Sequence, residues 1–199
     1  MVGTITPVVY GPRSSSRWPC LMGHFALALV TASLLMGAML SGLGIALRAV
    51  CPWNGSHLTL IFLGTALIGA MHDLRLLPFR LPSRDWQVPQ SWKRLSPKTM
   101  AFCYGFGIGL GVVTRIPFGG YYPVLVACIG FGNFLSGTGL MGLYGIARAG
   151  AIALVASGQN EGSPVHERLL VIGRLKTVVR IIDGVLLAVV AGALGFARQ

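Results

Sequence analysis

Two arginines stand inside otherwise apolar stretches. Arg115 lies in Thr114-Arg115-Ile116-Pro117-Phe118-Gly119-Gly120-Tyr121-Tyr122-Pro123, and Arg148 in Tyr144-Gly145-Ile146-Ala147-Arg148. A guanidinium within an apolar layer is costly unless it faces protein, water or an ion. Irregular backbone at that depth is tolerated only where it is buried in protein or lines a cavity. Thr114, Arg115, Tyr121 and Arg148 would together line a cavity suited to a small anionic solute, with Arg148 turned toward an anion or a carbonyl of the broken element. Plainer readings stay open. Arg115 would reach an interface if Pro117–Gly120 were an ordinary turn, and Arg148 would do so from its place before the polar Gly158–Asn160. Asp73 and Asp183 offer counter-ions, or simply finish and begin helices.

Thiol chemistry rests on Cys103 and Cys128, which flank Arg115 at 12 and 13 residues. A hairpin folded at Arg115 would bring both to similar depth and let them pair. A single crossing would hold them up to about 37 Å apart at helical rise, beyond disulfide reach. Neither Cys20 nor Cys51 completes a CxxC or a His-bearing metal pattern. The chain has no phosphate-cradling loop, no Ser/His/Asp arrangement, no paired carboxylates and no HExxH, so no catalytic, cofactor-binding or metal-binding residue is assigned.

The elements that position these residues follow from composition. Hydrophobic residues make up 54% of 199 and charged residues 11%, with a mean hydropathy of +0.72. A soluble domain carries about 25% charge, so this composition excludes a water-soluble globule. The net charge of +11 falls between apolar runs rather than on one face. That is the positive-inside bias of a membrane protein, not a nucleic-acid footprint. The expected partners are the bilayer and its anionic headgroups, with no nucleic acid.

A crossing needs about 20 apolar residues. After a polar tail, 1–23, two spans fall in 24–77 (His24–Leu47 and His57–Leu77), parted by the turn Cys51-Pro52-Trp53-Asn54-Gly55. The first apolar run exceeds the 7–15 residues of a signal-peptide core and is read as a retained span or signal anchor. A basic loop, 78–98, carries Arg80, Arg84, Lys93, Arg94 and Lys98, with Trp86 and Trp92 at headgroup level. Region 99–157 is a glycine-rich membrane core. Its apolar run 101–134 would rise about 50 Å as one helix, against a core of about 30 Å, and Pro117, Gly119-Gly120 and Pro123 forbid an unbroken one. A further run covers Thr138–Ser157. A basic segment, 158–181, precedes a last span in 182–199.

With the N-terminus cytoplasmic and one crossing for 101–134, both basic segments fall on the cytoplasmic side. Two crossings would turn 158–181 outward. The expected fold is an all-α, polytopic transmembrane helix bundle of about five spans (five or six), with one broken element near 114–123, in the cell membrane. Fourteen of the 28 glycines lie between Gly105 and Gly158. Gly105/Gly109 and Gly107/Gly111 are small-xxx-small pairs that permit close helix packing.

The stretch Tyr104-Gly105-Phe106-Gly107-Ile108-Gly109-Leu110-Gly111, the following Thr114-Arg115-Ile116-Pro117 and the later Gly142-Leu143-Tyr144-Gly145-Ile146-Ala147-Arg148 resemble the CcdA/DsbD membrane domain of cytochrome c biogenesis and thiol-disulfide reduction. The resemblance covers residues 57–157. It implies six helices in two inverted repeats, each with a first helix broken at a cysteine-bearing Pro-Cys motif. This chain has no cysteine at its break and two spans where the family's first repeat has three, so no redox residue carries over. The resemblance therefore implies the scaffold without its disulfide chemistry. Broken helices of inverted-repeat folds also line transporter sites.

Three functions remain open: a small-solute transporter or conduit, a thiol-disulfide relay through Cys103 and Cys128 or a thioredoxin-like partner, and a non-catalytic membrane subunit whose 78–98 loop docks a cytoplasmic protein or anionic lipid.

Overall fold

A computed structural model describes residues 18–50, 55–76, 95–111, 119–157, 179–186 and 189. Among the described residues all regular structure is helical. The helices are α1 (Trp18–Val50), α2 (Gly55–Asp73), α3 (Pro97–Gly109), α4 (Tyr121–Phe131), α5 (Phe134–Ser157) and α6, residues 179–186. Of these, α1 is long and apolar enough to cross a membrane.

Several boundaries differ from those expected. The first helix runs for 33 residues rather than His24–Leu47. No proline falls between Pro19, in its first turn, and Pro52, and Arg48 sits in the last turn, where a cation suits the helix dipole. Helix α2 stops at Asp73, short of Leu77. The run 101–134 is not one helix: α3 ends at Gly109, and Gly119-Gly120 form a turn from which α4 starts, with Pro123 in its first turn. Residues 135–137, which separate the apolar runs 101–134 and Thr138–Ser157, belong to α5. Gly132, at φ 57°, closes α4 in the left-handed conformation, and Phe134 begins the next helix two residues on.

The chain divides into two compact units. The first takes α1 up to Met36, α3, and α5 from Met141. Its core joins Met22, Phe25 and Leu29 of α1 to Ala101, Tyr104 and Ile108 of α3 and Ala149 of α5. The i, i+3, i+7 spacing on α1 and α3 is one face of each helix. The two backbones meet closely: a Cβ on Gly105 would collide with the Phe25 carbonyl, and one on Gly109 would lie 2.7 Å from Ala32 Cβ. This is the contact that small residues permit between helices. Ser96 starts α3, accepting the Thr99 amide at 3.3 Å, with Pro97 in the first turn, the usual chemistry of a helix start.

The second unit takes α1 from Gly37, α2, α4, the start of α5 and α6. Helices α2 and α4 pack against each other. Gly44 of α1 lies so close to the Ile129 carbonyl of α4 that no side chain fits between them.

Candidate functional site

The polar centre of the second unit begins at the end of α2. The Leu76 amide bonds the Met71 carbonyl at 2.8 Å and the Arg75 amide bonds the His72 carbonyl at 3.1 Å, with Arg75 at φ 59°. These are the two bonds of a Schellman motif, carried here by an arginine where glycine is usual. The motif fixes His72 and Asp73 in the final turn. Asp73 is 1% exposed. A carboxylate at a helix C-terminus meets the negative end of the dipole, so local helix energetics do not explain it.

Its partners come from two other elements. Asp73 Oδ2 accepts the Gly119 amide at 2.6 Å. Asp73 Oδ1 lies 3.1 Å from His72 Nδ1 and 3.4 Å from Arg180 Nε of α6. The Arg180 contact is an ion pair off hydrogen-bond alignment. Arg180 Nη2 donates to the His72 carbonyl at 2.7 Å, so one guanidinium serves both the carboxylate and the last turn of α2. One turn along α6, Asp183 Oδ2 accepts the Gly120 amide at 3.0 Å. Two successive amides at the start of α4 therefore face two carboxyl groups from two different helices. Gly120, at the cap position of α4, has no cap bond from a side chain of its own. Glycine is needed at 119, since a Cβ there would sit 2.6 Å from Gly69 of α2.

The far end of α4 is matched with opposite charge. Arg48 of α1 donates to the Gly130 carbonyl. The 11-residue α4 thus has carboxyl groups at its positive end and a guanidinium at its negative end, the arrangement its dipole favours.

The residues singled out in the sequence are distributed as follows. Thr114 and Arg115 lie outside the described residues. Tyr121 is buried in the second unit, edge-on to Tyr122 at 5.9 Å. Arg148 belongs to the first unit, where Nη1 lies 3.5 Å from the Ile108 carbonyl at the end of α3, and the guanidinium rests over the Tyr144 ring. Ser33 Oγ reaches the neighbouring Gly109 carbonyl at 3.5 Å. Cys103 and Cys128 are free thiols in different units. Cys128 is buried and its Sγ lies 3.5 Å from the Gly137 carbonyl. Most of the 78–98 loop, with Lys93 and Arg94, lies outside the described residues, and Lys98 is exposed in the first turn of α3.

Asp73 and Asp183 meet at successive amides, and Arg180 is the cation paired with Asp73. Read from the sequence alone, Arg180 falls in the basic segment 158–181 and His72 near the end of the apolar run His57–Leu77. A pattern is nevertheless present: His72-Asp73 and Arg180-Ile181-Ile182-Asp183 each put ionisable groups on one turn at the end of an apolar run. Among the described residues no group of three or more His, Cys, Asp or Glu could hold a metal ion. No family model, curated protein or solved structure matches the chain.

Proposed function

We propose that the chain is an integral membrane protein of about five crossings that passes a small polar solute at its broken element, on a CcdA/DsbD-like scaffold without disulfide chemistry. The observation that carries this reading is Asp73: a fully buried carboxylate at the unfavourable end of a helix, held by irregular backbone at Gly119. Ionisable side chains kept inside an apolar layer at a cost to stability mark solute and ion paths, and unwound backbone beside them is how transporter folds build sites.

Three further observations support it. The large apolar side chains of α1, among them Leu27, Leu35, Met39 and Leu43, are exposed in the chain itself, as lipid-facing residues would be. Helices α3 and α4, of 13 and 11 residues, rise about 20 Å and about 17 Å, so neither crosses a core of about 30 Å alone. The C-terminus of α2 meets α6, with Leu74 beside Gly184. That supports a topology in which the segments after α2 and before α6, both basic, share the cytoplasmic side with the N-terminus.

The test is osmotic swelling of proteoliposomes holding the full chain, in glycerol, urea, potassium chloride and sodium formate. At least one solute is expected to enter faster than into protein-free vesicles, and Arg180→Ala to remove that excess. Entry at the protein-free rate for all four would overturn the reading.

A further inference from the structure

We propose that Asp73 and Asp183 form a proton-binding site, with one exchangeable proton held between their carboxyl groups at the Gly119-Gly120 turn. The role we assign to it, the coupling ion of the conduit, rests on the function proposed above. The binding site itself rests on geometry alone.

The first argument is donor inventory. An ionised carboxylate accepts hydrogen bonds and donates none. The two carboxyl groups accept from the successive amides of Gly119 and Gly120, and at that spacing they can bond each other only if one of them carries a proton.

The second argument is charge. The groups facing the pair are His72 on α2, Arg180 on α6 and the Gly119 and Gly120 amides at the start of α4. With His72 neutral, two carboxylates and one guanidinium sum to one negative charge, in a place where Asp73 is completely buried. One bound proton brings the cluster to neutrality, which removes the large penalty on an unbalanced buried charge. A metal cation would need the position that Arg180 already holds against Asp73. The proton fits without displacing any described contact.

The third argument is that each carboxyl group is held in place without the proton. Asp73 retains the Gly119 amide and Arg180, and Asp183 retains the Gly120 amide. The proton can leave as the O–H bond breaks, the electron pair staying on the carboxylate and the proton passing to water. The cluster then carries one net negative charge until a proton returns. That uncompensated state gives coupling its physical basis: the turn favours movement of the charged solute or proton that restores balance.

The experiment is infrared difference spectroscopy of the reconstituted full chain, titrated from about pH 5 to about pH 9, where free carboxyl groups are ionised. The chain has only five Asp and Glu residues, so the carboxyl region is sparse. A protonated-carboxyl C=O band is expected at neutral pH, shifted by deuterium exchange and lost in both Asp73→Asn and Asp183→Asn. The wild-type band and its isotope shift need no variant to fold. Absence of any such band in the wild type overturns the site. A band that survives both substitutions is not that of a proton shared by the pair, and overturns it equally. Vesicle swelling reads the conduit separately. A band without swelling upholds the proton site and removes the conduit, whereas swelling without a band removes the proton site alone.

Discussion

The Asp73 carboxylate and the Gly119 amide, 46 residues apart in sequence, meet at 2.6 Å. This contact ties the end of α2 to the start of α4. Beside it, Asp183 ties α6 to the next amide. The polar cluster is therefore made of three helix ends: α2 brings a carboxyl group, α6 a carboxyl group and a guanidinium, and α4 two backbone donors that its own first turn leaves unpaired.

Asp73→Ala is expected to destabilise the protein by about 3–5 kcal/mol, the cost of removing one partner from a buried ion pair. It leaves the Gly119 amide without its acceptor and Arg180 without its counter-ion. Asp73→Asn keeps an acceptor for the amide and is expected to cost less. Thermal unfolding in detergent, followed by helical circular dichroism, gives the order. Equal losses for the two variants would show that the amide contact contributes nothing.

Arg48→Met keeps most of the side-chain length and removes the donor to Gly130. The last turn of α4 then loses a charge-assisted bond, worth about 1.5–3 kcal/mol. Chemical denaturation should report a loss in that range, and an unchanged midpoint would remove Arg48 as the cap of α4.

The glycines of α1 and α3 should divide by their surroundings. Gly105→Ala drives a methyl into the Phe25 carbonyl, and overpacking of that kind costs about 1–3 kcal/mol. Gly23 has open space for 4 Å around the place a methyl would take. Alanine there should instead gain about 0.5–1 kcal/mol through helix propensity. Opposite signs in one unfolding assay are the expected result.

Arg75 occupies a left-handed position at φ 59°, which costs a residue with a Cβ about 1–2 kcal/mol. Arg75→Gly is expected to raise stability by about 1 kcal/mol while leaving vesicle swelling unchanged. A fall in stability would show that the arginine side chain makes a compensating contact.

The break near Gly119-Gly120 is legible in the sequence because Pro117 and two successive glycines leave a continuous helix no way through; Pro123, expected to break it too, falls instead in the first turn of α4, where proline is tolerated. The close approach at Gly105 and Gly109 is legible for a related reason: small residues four apart have few uses in an apolar helix other than packing. The ends of α1 are not. Charge bounds an apolar run, whereas helices end at breakers, and Arg48 is accommodated by its contact with Gly130. Arg180 is hidden because its partner His72 is 108 residues away. Position in a basic segment says nothing about which helix end a guanidinium will meet. Asp73 and Asp183 are visible as unusual acids in apolar runs, but their convergence on adjacent amides is a property of packing.

The central claim is that the turn with its carboxyl cluster lies within the hydrocarbon. A nitroxide attached to Val124→Cys, one turn into α4, reads this through collision rates in the reconstituted protein. Oxygen, which concentrates in lipid, should relax the label faster than a water-soluble nickel chelate. Dominant relaxation by the chelate would place the start of α4 in water and contradict the account.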